Sequence, residues 1–105
     1  MPAPNRSSKG FVGILVAELH FPENGSLKGK RMYLRRVRDQ VTRRFGASFA
    51  EVGYQDLWQR SKVLMVVASS DLRVLDGTME RMREYLDGQE WVLTWCEAEV
   101  MDIDS

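Results

Sequence analysis

Two stretches of helical period set among four stretches of strand character constrain this chain most, because the order of alternation admits few folds. Between Ser26 and Gly46, Leu27, Leu34, Val37, Val41 and Phe45 fall within one sector of a 100° wheel, the spacing of a core-facing helix. Ser26 can accept a bond from a first-turn amide as N-cap, and Gly46 can take the positive φ of a C′ residue. A second seam, Leu72, Leu75, Met79, Met82 and Leu86, follows a cap at Ser70 or Asp71 and is expected to stop at Gly88.

The strand runs are Phe11 to Phe21, Ala47 to Tyr54, Ser61 to Ser69 and Trp91 to Met101. Pro22 to Gly25 punctuate the first, and Gln55 to Arg60 read as a loop between the second and third. The order β-α-β-β-α-β predicts an α+β, ferredoxin-like fold: a four-stranded antiparallel sheet in the order 4-1-3-2 with both helices on one face. Alternation places Leu15, Ala17, Leu19 and Phe21 under the helices, and Ile14, Val16, Glu18 and His20 on the uncovered face. An exposed apolar row of that kind calls for a covering partner, most simply a second copy, so those four residues are the expected interface of a homodimer.

Charge is distributed unevenly along the chain. The net formal charge is zero, yet residues 1–46 carry ten bases against three acids and residues 47–105 carry five against twelve, giving +7 beside −7. Lys28, Arg31, Arg35 and Arg38 form a stripe along one flank of the first helix, with Arg36 and Arg43 further round. A row of cations on a rigid rod matches the repeating phosphates of a nucleic acid backbone. The second helix is acidic on its solvent side, through Asp76, Glu80, Glu84 and Asp87. A charge run is as often a solvated face, or one paired with the protein's own acids, as it is a binding surface.

The 105 residues suit one domain, expected over residues 11–102, between a disordered tail at 1–10 and an acidic end at 103–105. The single cysteine, Cys96, has no partner for an internal disulfide and reads as a small core residue. With neither a secretory signal pattern nor a membrane-spanning apolar run, a cytoplasmic location is expected.

Several pieces together are similar to a known family: ELH at Glu18 to His20, SLKxKR at Ser26 to Arg31, AEVG at Ala50 to Gly53, DLWQR at Asp56 to Arg60, and SSD at Ser69 to Asp71. They resemble the YlxP-like family of bacterial proteins, the domain of unknown function 503. The resemblance runs from about Phe11 to Val100 and implies a ferredoxin-like fold. Genes of that family often neighbour those of translation initiation and small-subunit maturation factors, which implies a ribosome-related role. It implies no catalytic residue. The chain departs from the pattern at Gly29, where the family often has Glu.

The chain has no Gly-rich phosphate loop, nucleophile elbow or Cys/His pair of catalytic spacing, so no enzyme and no cofactor is expected. Glu18 and His20 project to one side and are expected to neighbour Glu97 and Glu99 of the fourth strand; a lone histidine there suits a polar contact better than a metal site. In the Asp56 to Arg60 loop, Trp58 beside Gln59 and Arg60 can stack on and bond to an unpaired base, or Trp58 can plug the sheet edge. The third strand lacks the aromatic frame of sheet-face RNA recognition. The expected RNA-binding residues are therefore Lys28, Lys30, Arg31, Arg35, Arg36, Arg38, Arg43, Trp58 and Arg60. Ribosomal RNA or a ribosomal subunit is the expected partner, rather than DNA or a membrane, and a protein-protein adaptor is the alternative.

Overall fold

The computed structural model describes residues 9–104. Its elements are β1 (Lys9–His20), α1 (Leu27–Phe45), β2 (Ser48–Gly53), β3 (Arg60–Ser69), α2 (Leu72–Leu86) and β4 (Val92–Asp104). The sheet order is β2-β3-β1-β4, which reads 4-1-3-2 from the opposite edge, and every neighbouring pair is antiparallel. Among the described residues no helix is long and apolar enough to cross a membrane.

The caps show why the helices begin and end where they do. The Ser26 hydroxyl accepts from the Gly29 amide at 2.9 Å, and Gly46 takes φ 65°, returning its N–H to the last turn of α1. Asp71 caps α2 by accepting from the amides of Arg73 and Val74. The stop of α2 differs from expectation: Asp87, at φ −90°, closes the last turn, so no left-handed Gly88 is needed. The Trp91 indole donates to the Leu86 carbonyl at 2.9 Å and satisfies one of the orphan acceptors there.

Alternation along β1 holds as expected. Leu15, Ala17, Leu19 and Phe21 are buried at 0–1% exposure against Leu34, Val37 and Val41 of α1 and Leu75, Met79 and Met82 of α2. Phe21, Tyr33, Tyr85 and Trp91 form a run of stacked and edge-on rings that ties both helices to the start of β4. Both terminal expectations change at the sheet's end. The expected disordered segment lies outside the described residues except for Lys9 and Gly10, which open β1. They pair with Asp104 and Ile103, so the acidic end continues β4 instead of forming a tail. Each strand persists there because the other supplies backbone partners.

Gly13 sits where α2 crosses β1: a Cβ there would lie 2.5 Å from Met79 Sδ and 3.0 Å from Leu75 Cδ1. Gly13→Val is expected to destabilise the fold by about 1–3 kcal/mol through overpacking, measured by chemical denaturation, with the secondary structure retained.

Candidate nucleic-acid interface

The start of α1 is anchored by a residue that composition alone would place in solvent. Lys30 is 2% exposed, and its Nζ donates to the carbonyls of Tyr54 at 2.8 Å, Gln55 at 3.2 Å and Arg60 at 3.2 Å while pairing with Glu51 Oε2 at 2.9 Å. Glu51 also accepts from the buried Ser61 hydroxyl at 2.7 Å. Lys30 is therefore withdrawn from the expected RNA-binding set. It lies three residues after Leu27 and four before Leu34, inside the apolar sector, and that phase is the available signal of its burial.

The same network fixes the β2–β3 loop. Asn24, itself buried, donates to the carbonyls of Ser26 and Trp58, and the Gln59 amide donates to those of Pro22 and Asn24. Gln59 thus spends its donors on the protein. Tyr54 takes a positive φ of 58°, unusual for a non-glycine residue, with its carbonyl held by Lys30 and the Arg60 guanidinium 4.1 Å from its ring centroid.

With Lys30 turned inward among the apolar seam, the cations of the adjoining flank face out. Lys28, Arg31, Arg35 and Arg38 are exposed and make no ion pair among the described residues. Arg31, Arg35 and Arg38 line a groove of about 260 Å³ between α1 and β2, with Leu34 and Phe49 as its apolar wall and Glu51 at one side. The Arg38 guanidinium lies 5.6 Å from the Phe49 ring. Phe49 is an addition to the expected site residues, and its alternation with Glu51 on the helix-facing side of β2 is the signal that could have found it.

The other expected residues divide. Arg43 is exposed and its Nε donates to the Asp39 carbonyl at 3.4 Å. Arg36 pairs with Glu90 at 3.0 Å, both well exposed, a contact worth at most about 1 kcal/mol. Arg60 pairs with Glu18 at 2.9 Å. Trp58 is 54% exposed, so it plugs nothing, and it lines a shallow cleft of about 360 Å³ with His20, Asp56, Leu57, Gln59 and Arg60. His20 and Arg60 are register partners on the uncovered face, whereas the arginine groove opens on the helix side. Trp58 and Arg60 are therefore brought together with each other and not with the stripe.

The expected carboxylate neighbours of His20 are corrected. The regular β1–β4 register sets Glu97, Glu99 and Trp95 opposite Val16, Ile14 and Glu18, and an irregularity at Thr94 then sets His20 opposite Val92. Among the described residues, no three His, Cys, Asp or Glu side chains come together as a metal-binding group. Cys96 packs partly buried against the core; burial pushes its thiol up, and Arg83 only partly opposes this. A raised pKa means less thiolate at neutral pH, so alkylation of the native chain at pH 7 is expected to be slower than that of the urea-unfolded chain.

Removing the Lys30 ammonium strands Glu51 and three carbonyls. Lys30→Ala is expected to cost about 3 kcal/mol, the low end for breaking a buried pair because Glu51 keeps some solvent contact, measured by urea denaturation.

YlxP, an uncharacterised protein of Bacillus subtilis (strain 168), is 33% identical to this chain over 77 residues, which is 73% of this chain and 84% of that protein. Among solved structures, the de novo designed protein Foldit4 matches at 17% identity and a TM-score of 0.42, over 92% of this chain and 98% of its own. The model of the DUF503 family, described as a protein of unknown function, matches residues 12–104, and the chain belongs to that family.

Proposed function

We propose that this protein is a non-enzymatic, cytoplasmic RNA-binding protein whose primary contact is the groove lined by Arg31, Arg35 and Arg38, with Lys28 at its end. The observation that carries the reading is the unpaired state of those four cations among the described residues. From Lys28 to Arg38 the stripe spans about 15 Å of helix, long enough to meet several phosphates. The acids of α2 leave it free, and the carboxylate that lines the groove, Glu51, is occupied by Lys30 and Ser61. Ribosomal RNA is the first candidate because of the family resemblance. Trp58 lies on the other side of the sheet edge and adds a base-stacking contact only where an RNA wraps that edge.

Co-sedimentation with purified ribosomal subunits over a salt series tests this. Affinity is expected to fall with salt, and the triple variant Arg31→Gln, Arg35→Gln, Arg38→Gln is expected to reduce the log–log slope by about 2, from ~0.7 per single-strand phosphate contact. No co-sedimentation at low salt, or a slope unchanged in the variant, rejects the reading. A second reading, an adaptor that pairs with another polypeptide, is favoured by the exposure of Trp95, Met101 and Ile103 on the sheet's uncovered face. A nuclease-resistant complex lost in Val16→Asp is its signature.

A further inference from the structure

The uncovered face of the sheet is arranged in rows that run straight across all four strands. Strand register sets Ser48, Val66, Ile14 and Glu99 in one row, Ala50, Leu64, Val16 and Glu97 in the next, and Gly53, Lys62, Glu18 and Trp95 in the third. Each row has a small residue at the β2 edge and a large one at the β4 edge. The two middle columns are apolar in the first two rows and oppositely charged in the third. Neither helix covers this face, and Ile14, Val16, Leu64 and Val66 on the central strands remain partly exposed.

We infer that this face pairs with a second copy of the chain about a two-fold axis running along the strands between β3 and β1. Such an axis reverses each row onto itself. Leu64 then meets the partner's Val16 and Val66 meets the partner's Ile14, so the apolar columns close on one another. Lys62 meets the partner's Glu18, and symmetry makes that ion pair twice. At the edges, the long side chains of Glu97 and Glu99 lie over the partner's Ala50 and Ser48, which leave room for them, and Trp95 lies toward the partner's Gly53, where the stem of Lys62 is its contact. Aligned packing with a modest twist between the sheets is the ordinary geometry of two such faces.

Charge selects this axis over the other in-plane choice. An axis running across the strands stacks β4 on the partner's β4 and brings Glu97 and Glu99 of both copies together, four carboxylates with no cation in their rows. Like charges so juxtaposed are costly. Four strands at about 4.8 Å and the stretch of β1 from Val12 to His20 at about 3.3 Å per residue give a footprint of roughly 19 by 27 Å. With side-chain relief, that approaches the ~800 Å² each partner contributes to a stable complex. The arginine groove opens on the helix side and stays accessible in the pair, so the inference stands independently of the RNA reading.

The test is sedimentation equilibrium of the full chain and of two charge reversals, Glu18→Lys and Lys62→Glu, with circular dichroism confirming that each variant folds. The wild type is expected to dimerise, and each reversal alone to weaken the dimer at least about tenfold, because both symmetric contacts become like-charged. Mixing the two variants is expected to restore a heterodimer. The carboxylate introduced by Lys62→Glu then faces the ammonium introduced by Glu18→Lys, while the unaltered Lys62 of one chain faces the unaltered Glu18 of the other. Mixing leaves the like-charged pair within each chain unrelieved, so recovery reports the contact between copies. As a second measurement, Ser48→Cys and Glu99→Cys chains in a Cys96→Ala background are expected to be joined by a short bis-maleimide when mixed, and neither alone. A monomeric wild type, a dimer indifferent to both reversals, or a mixture that neither re-associates nor cross-links overturns the inference.

Discussion

The Lys30 ammonium is the interaction on which the rest of this structure depends. A buried cation is tolerated only where oxygens replace its water, and here a carboxylate and three carbonyls do so. Those oxygens belong to β2, to the β2–β3 loop and to the first residue of β3, so one side chain fastens the first turn of α1 to three segments distant in sequence. It also sets the rotation of α1. With Lys30 pointing down, Arg31, Arg35 and Arg38 are directed along the open side of β2, where Phe49 and Leu34 form the wall of their groove.

Covering a sheet on one face only gives the molecule two surfaces of different chemistry. The helix layer presents guanidinium groups above an edge strand. The opposite face presents two central aliphatic columns, with charges at one end and along the β4 edge. A polyanion and a polypeptide are the natural complements of the two, and neither excludes the other because the sheet lies between them. The −7 half of the chain neutralises the +7 half only in part: Lys30–Glu51 and Arg36–Glu90 join the two, while among the described residues the acids of α2 make no ion pair with α1. The tie between the halves at that end, Arg36 to Glu90, is exposed and weak.

Local periodicity made most of the fold legible. The two seams, the Ser26 and Asp71 caps, the Gly46 stop and the inward set of β1 all follow from spacing within one segment, where each residue's phase is fixed by its neighbours. The failures occur where a partner distant in sequence decides. Gly88 is unnecessary because Trp91 and Asp87 close α2. The ends of β1 and β4 are longer than expected because each pairs with the other. Glu97 and Glu99 miss Glu18 and His20 because the β1–β4 register, which alternation within either strand leaves open, sets them opposite Val16 and Ile14.

The sequence by itself determined the number and order of elements, the buried side of each and the row of cations on α1, since these are properties of hydrophobic period and local capping. Only the tertiary structure decided which cations are usable. Lys30 and Arg31 are adjacent and chemically alike, yet one is enclosed by oxygens and the other stands in solvent. Charge and propensity cannot separate them; helical phase turns Lys30 inward, and the oxygens that make an ammonium tolerable there are brought by β2 and its loop.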